Sequence, residues 1–156
     1  MSHQLLDAMV GKPCWHVSAG GPTAPSFVLV LGGRVPRDVP LRNPAQPDDF
    51  RHTRGEVELL VWSPWRLQRG SSPLATSDQG EPGLAALRAL VGAVVESVAC
   101  AAPAWDLAIR FSDRTELVTF SDHLDPGASI EASWELWARG RYLRAGPGGA
   151  LVEEQA

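Results

Sequence analysis

The residues of this sequence that could do chemistry begin with a cysteine and a histidine two positions apart. In an extended strand, Cys14 and His16 would point to the same face, with Trp15 on the other. A thiol beside an imidazole could supply half of a metal site or an activated nucleophile. The plainer interpretation is a buried cysteine next to a hydrogen-bonded histidine, and we favour it because no further ligands stand nearby in the sequence.

A second candidate cluster is the carboxylate and imidazole pair Asp122-His123. These residue types can act together as metal ligands. A Pro-Gly turn follows them, however, and polar residues are common before a turn for conformational reasons alone. If folding brought this pair to Cys14 and His16, the four side chains could form a small-ligand or metal-dependent enzyme site between two parts of the chain.

Local motifs of common enzymes and cofactor sites are missing from the sequence. It contains neither a dinucleotide-binding glycine pattern nor a phosphate-binding loop, and it has no Gly-x-Ser-x-Gly nucleophile elbow. The two cysteines do not form a Cys-x-x-Cys unit, so no structural zinc is predicted. We therefore expect no cofactor, although an enzyme that assembles its site from distant residues remains an alternative.

Tryptophan is unusually frequent, with six residues against a single tyrosine. The segment from Trp62 to Arg66 holds two of them around Pro64, and a proline in a strand indicates an edge or a bulge. Tryptophan and arginine are enriched at protein interfaces. Trp62, Trp65 and Arg66 are therefore candidate binding residues, with core packing as the alternative that we favour for each tryptophan taken singly.

A long insert, residues 33–55, is the other candidate binding segment. Its four prolines disfavour regular structure, and loops of this length in compact domains tend to be functional or disordered. Five arginines and three aspartates give it a charge of +2 on a chain of net charge −4. Such a segment could hold an acidic protein or an anionic ligand, or it could be a solvated surface loop. Within it, Arg51, His52 and Arg54 are the candidate binding residues.

The elements that must position these residues fall into two related halves. Residues 6–11 match residues 87–92 in type at four of six positions. Three further matches follow in the same order: Phe27–Arg34 with Leu107–Arg114, Glu58–Trp62 with Glu116–Phe120, and Trp65–Leu67 with Trp134–Leu136. Within one domain, 1–156, the sequence thus predicts a first half over 4–67, a linker over 68–81 and a second half over 82–152.

Hydrophobic periodicity within each half predicts the fold class. Each half begins with a short helix, whose apolar stripe in the first half is Leu6, Met9 and Val10. Alternating segments such as residues 105–111 then predict strands joined by hairpins. We expect an α+β fold, mostly β, in which two antiparallel β-meander halves pack as a sandwich or a partial barrel with one or two short helices.

The last third of the chain carries a pattern that resembles a broad set of uncharacterised bacterial proteins, some of which are small immunity proteins of toxin systems. The pattern comprises residues 105–113, 116–120 and 133–136. Because these positions are mainly apolar and structural, the resemblance implies a shared sheet and assigns no functional residue.

Composition narrows the function classes. The acidic balance lacks the surplus of Lys and Arg that nucleic-acid binding requires, and no apolar run is long enough to span a membrane. Residues 1–4 do not begin a signal peptide, so we expect a cytoplasmic protein. The leading hypothesis is a non-catalytic module that binds another protein, of an immunity or regulatory type, for which self-association is also possible. The alternative is an enzyme or small-ligand protein that uses the Cys14, His16, Asp122 and His123 cluster.

Overall fold

The computed structural model describes residues 3–20, 26–122 and 132–156. In these ranges most residues with regular structure lie in strands, which form two antiparallel sheets accompanied by two short α-helices. The predicted α+β, mostly β fold class is therefore confirmed. The sequence predicts either a sandwich or a partial barrel. The two sheets form a sandwich and do not close into a barrel. No helix within the described ranges is long and apolar enough to cross a membrane.

The elements in chain order are β1 (Cys14–Ala19), β2 (Phe27–Pro36), α1 (Asp48–His52), β3 (Thr53–Val61), β4 (Trp65–Arg69), β5 (Ser72–Thr76), α2 (Glu81–Arg88), β6 (Val95–Ala101), β7 (Asp106–Phe111), β8 (Thr115–Thr119), β9 (Trp134–Ala138), β10 (Arg141–Ala145) and β11 (Leu151–Gln155). Short 3₁₀ turns cover Leu6–Met9 and Pro147–Gly149. The first sheet has the order β1-β2-β3-β9-β10-β11, and the second has the order β5-β4-β8-β7-β6.

Both segments that the sequence predicts as halves contribute to both sheets. The first supplies β1, β2 and β3 to one sheet and β4 to the other, whereas the second supplies β6, β7 and β8 to one and β9, β10 and β11 to the other. The segments meet where β3 pairs with β9 and where β4 pairs with β8. The segment 68–81, predicted as a linker, contains β5, which forms a hairpin with β4.

Reciprocal hydrogen bonds join the starts of β1 and β6. The N–H of Gly11 donates to Val95 O at 2.8 Å, and the N–H of Gly92 donates to Cys14 O at 2.8 Å. Both glycines have a positive φ, +80° and +96°, which a residue without a Cβ adopts at little cost. An edge strand of one sheet is thereby fixed to an edge strand of the other.

The core lies between the sheets, where alternate residues of each strand face inward. Its largest fully buried side chains include Trp65, Trp134, Phe27, Phe111, Leu29, Leu31, Leu59 and Leu67. The 3₁₀ turn adds Leu6 and Met9 to this core. The predicted apolar stripe is wrong at Val10, which is 42% exposed, because the turn ends at Met9 and the chain there becomes extended.

Candidate binding groove along strand β1

The insert, residues 33–55, packs against the outer face of β1, β2 and β3. It is partly regular, since β2 continues to Pro36 and α1 begins at Asp48. Phe50 of α1 is buried, although it lies outside the main core cluster. The centroid of its ring lies 4.5 Å from that of His16 and 6.3 Å from that of Trp15. A small second apolar cluster thus anchors the insert.

Ion pairs within the insert and with Glu58 of β3 neutralise much of the positive charge that its composition predicts. Arg34 Nε lies 2.8 Å from Asp49 Oδ2, and this hydrogen bond lowers the pKa of that carboxyl. Arg37 and Arg54 share one carboxylate, Glu58, with nitrogen–oxygen distances of 4.0 and 3.6 Å. Arg34 and Arg37 therefore hold the insert on the sheet, whereas the Arg54 pair lies within β3.

The candidate binding residues of the insert lie around the start of β3. Arg51 Nε donates to the Leu41 carbonyl at 3.1 Å, whereas His52 is exposed beside Asp48. The guanidinium of Arg54 lies 3.6 Å from the centroid of the Trp137 ring. Arg51 and Arg54 thus stabilise the fold locally, and of the three only His52 is exposed, with 55% of its side chain accessible.

The tryptophan-rich segment lies at the other end of β3, roughly 26 Å away at ~3.3 Å per residue. Trp62 is 41% exposed, but Trp65 is only 2% exposed and belongs to the core. The hypothesis that Trp65 lies on a binding surface is therefore wrong, because the alternation of β4 turns it inward. Arg66 turns outward and lies 5.0 Å from the centroid of the Phe120 ring. The two predicted groups of binding residues do not form one surface.

Cys14 and His16 do not share a face as predicted. A β-bulge lies between them, since Cys14 pairs with Leu31 and His16 pairs with Val30, which leaves one extra residue in β1. Cys14 consequently faces the core, where burial raises the pKa of its thiol to about 11. Its Sγ lies 3.6 Å from the His16 carbonyl oxygen, while the His16 ring points to the outer face.

Asp122 lies far from both of these residues. The neighbouring Ser121 N–H donates to Asp106 Oδ1 at the start of β7, whereas Cys14 is bonded to Ala93 near the end of β7. The length of β7 separates the two places by about 17 Å. His123 lies outside the described residues. Within the described ranges, no three His, Cys, Asp or Glu side chains are grouped as a metal site.

A groove of about 480 Å³ opens beside β1, between the insert and the end of α2. Its floor is the consecutive run 16–20 at the end of β1. One wall is formed by Asn43, Ala45, Gln46 and Pro47 of the insert, and the other by Arg88 and Val91 at and beyond the end of α2. Val91 is 48% exposed and offers an apolar contact in this second wall.

Hydrogen bonds fix both walls to β1. Gln46 bridges two side chains of the strand: its Nε2 donates to Ser18 Oγ at 2.8 Å, and its Oε1 lies 3.4 Å from His16 Nε2. On the other side, Arg88 Nη2 donates to the Ala19 carbonyl at 3.0 Å while Nη1 pairs with Glu81 at 2.6 Å. The groove is thus a built feature of the fold, with backbone and amide groups positioned for hydrogen bonding.

Sequence reasoning selected His16 but missed the other polar groups of the groove, Ser18, Gln46 and Arg88. No local motif marks them, because they meet only after the insert has folded onto β1. Val91 matches Val10 in the internal repeat, and both valines are exposed, which the apolar character of the sequence does not indicate. Comparison of the chain with family models, curated proteins and solved structures finds no match.

Acidification should weaken the anchoring of the insert through His16. Burial lowers the pKa of His16 below its ordinary value of 6.5, in spite of the raising effects of the Gln46 hydrogen bond and of the Asp49 and Glu58 carboxylates. The unfolded chain therefore binds more protons than the folded one as the pH falls through 6.5, and stability decreases until the folded-state pKa is passed. Urea denaturation at pH 7.5 and 5.5 measures this loss.

The His16→Gln variant is the control for this prediction, because it keeps a hydrogen-bonding side chain that does not titrate. Its loss of stability between the two pH values should be smaller than that of the wild type. An equal loss in both proteins would show that other groups carry the pH dependence.

Proposed function

We propose that this protein is a non-catalytic binding module whose partner is another protein, and that the groove along β1 is its binding site. The observation that supports this proposal is the groove itself, an edge of a sheet held open between two fixed walls. The insert forms one wall, and the ion pairs of Arg37 with Glu58 and of Arg34 with Asp49 hold it in place. A preformed site of this kind avoids much of the ordering cost of binding.

The chemistry of the groove favours binding over catalysis. The nearest thiol, Cys14, faces the core with a pKa of about 11, so it is protonated at neutral pH and is a poor nucleophile. The His16 ring contacts Gln46 and Phe50 and is not paired with that thiol. The remaining polar groups of the lining are amides, a hydroxyl and one guanidinium, which suit hydrogen-bonded recognition.

The difference between the two halves also supports this site. We propose that the halves are structural repeats, in which β1, β2 and β3 correspond to β6, β7 and β8. Residues 112–114 alone connect β7 to β8, whereas α1 and the chain before it intervene between β2 and β3. The insert therefore flanks β1 and not β6, and we place the binding surface in the first half.

In its finer form, the proposal is that this is a cytoplasmic bacterial protein of an immunity or regulatory type. The absence of a local catalytic motif and the acidic balance of the chain motivate it, while the resemblance of the last third of the chain implies a shared sheet only. The partner would then be a toxin or another regulated protein rather than a nucleic acid or a membrane.

Site-specific photocrosslinking in the source cells tests the binding function. A photoreactive amino acid is placed at Val91, in the groove, and in a second protein at Val10, which is similarly exposed but lies outside the lining. We expect one protein to be crosslinked from Val91 and not from Val10, and the same protein, once purified, to bind the unmodified chain in calorimetry. Identical crosslinks from both positions, or none from Val91, would contradict the proposal.

A further inference from the structure

We infer that the partner enters the groove as an extended segment that adds to the edge of β1 as a further strand, with a carboxylate directed to Arg88. This inference rests on the proposed function, whose site it describes in more detail. It is carried by the direction of the backbone groups of β1, by the absence of the usual edge protection, and by the charge of the lining.

The alternation of β2 shows which of its residues face β1. The N–H of Gly32 donates to the Pro13 carbonyl at 2.9 Å, across the β1 side of β2. Successive residues of a strand direct their backbone groups to opposite sides, so Val30 and Val28 also face β1. Leu29, between them, faces β3.

The same alternation shows which backbone groups of β1 are directed toward the groove. His16 pairs with Val30 and Ser18 pairs with Val28, so these two residues of β1 bond to β2. Val17 and Ala19 therefore direct N–H and C=O away from β2, and the bond from Arg88 to the Ala19 carbonyl agrees with this direction. Because Arg88 occupies that carbonyl, an added strand would pair with the Ala19 N–H and with both backbone groups of Val17. Two such residues, roughly 7 Å apart, match a partner strand of about four residues.

Beyond Cys14, whose N–H and C=O are bonded to Ala93 and Gly92, the edge of β1 lacks the protective residues seen within the other edge strands of the described sheets. Exposed edges are commonly protected by proline or by charged residues. Strand β5 contains Pro73, β6 contains Glu96, and β11 contains Glu153 and Glu154. Residues 14–19 of β1 include no proline, lysine, arginine or carboxylate. The walls of the groove flank this edge instead.

The charge of the groove lining indicates which kind of peptide segment would bind. Arg88 is the only residue with a formal charge at neutral pH among the described residues that line the groove. Its present partner, Glu81, lies on the exposed surface of α2 with a side chain that is 72% exposed. A carboxylate of the incoming segment can take the place of this solvated partner, while Val91 contacts an apolar side chain. The complementary partner is therefore an acidic, extended peptide segment.

Selection from a random peptide library displayed on phage tests this inference with the intact protein. We expect enrichment of peptides that carry Asp or Glu, and at least a tenfold weaker binding of a selected synthetic peptide to Val91→Arg in fluorescence anisotropy. The matched control is Val10→Arg, which places the same side chain on the corresponding exposed valine outside the groove and should bind as the wild type does. Both variants are surface changes, and equal thermal unfolding confirms that they are folded.

Amide hydrogen exchange by NMR then identifies the mode of binding. Saturation with the peptide should slow the exchange of the Val17 and Ala19 amides at least tenfold. A peptide that binds in a Val91-sensitive way without this protection would overturn strand addition but leave the binding module intact. Enriched peptides without acidic residues would overturn the role of Arg88. Failure to enrich any peptide, or equal binding by the two variants, would overturn both the inference and the groove as the binding site.

Discussion

Replacing Trp65 with alanine should lower the free energy of unfolding by about 3–5 kcal/mol, the range for large aromatic residues in a protein core. Trp65 is 2% exposed, and its ring packs edge to face on Phe27 with centroids 5.6 Å apart. Gly83 of α2 approaches the same ring so closely that a Cβ there would lie 3.4 Å from it. The substitution would leave a cavity that both sheets and α2 border. Urea denaturation with linear extrapolation measures the loss.

Trp62→Ala is the matched control, because it removes the same side chain three positions earlier. Trp62 is 41% exposed, so we expect a change below about 1 kcal/mol. Similar losses in the two variants would contradict the assignment of Trp65 to the core and Trp62 to the surface.

The contrast between these tryptophans shows what the sequence could predict. Period-2 alternation is a property of the chain itself, and for that reason the strands and the α+β, mostly β class were predictable. Whether Trp62 or Trp65 faces inward depends on the point at which the chain passes from β3 in one sheet to β4 in the other. Composition and spacing do not contain that information.

One extra residue in β1 disrupts the predicted cysteine and histidine site. The bulge in β1 rotates His16 away from the face that Cys14 occupies, so the predicted cysteine and histidine pair does not form. Whether a bulge forms depends on how two strands pair. The sequence of β1 alone therefore does not predict it.

The insert was recognisable as a special segment, but its role was not. Its positive charge suggested a surface for an anionic partner, yet Arg37 and Arg54 are paired with Glu58, a residue of β3. The pair with Arg37 forms only when the insert folds back onto the sheet, whereas Arg54 and Glu58 both belong to β3. The same folding brings Gln46 to Ser18 and creates the groove, so the binding site depends on the stability of the insert.

Phe50→Ala should therefore open the insert locally and abolish the groove before the sandwich unfolds. Phe50 is buried, lies 4.5 Å from the His16 ring and carries the Arg37 guanidinium 4.8 Å from its own ring centroid. Its loss should lower the free energy of local opening by about 3 kcal/mol. At ~1.4 kcal/mol per factor of ten, this corresponds to a roughly hundredfold faster amide exchange in the insert.

The amides to follow are those of Arg37 and Leu41, which donate to the carbonyls of His52 and Arg51 at 2.9 and 2.8 Å. Amides of the core strands should change much less, because they exchange through global unfolding. Val39→Ala, at a highly exposed position of the same insert, is the control and should leave both exchange and peptide binding unchanged. If Phe50→Ala accelerated core and insert amides equally, the insert would be part of the global folding unit. If it left the insert amides unchanged, Phe50 would not be the anchor that couples the groove to the fold.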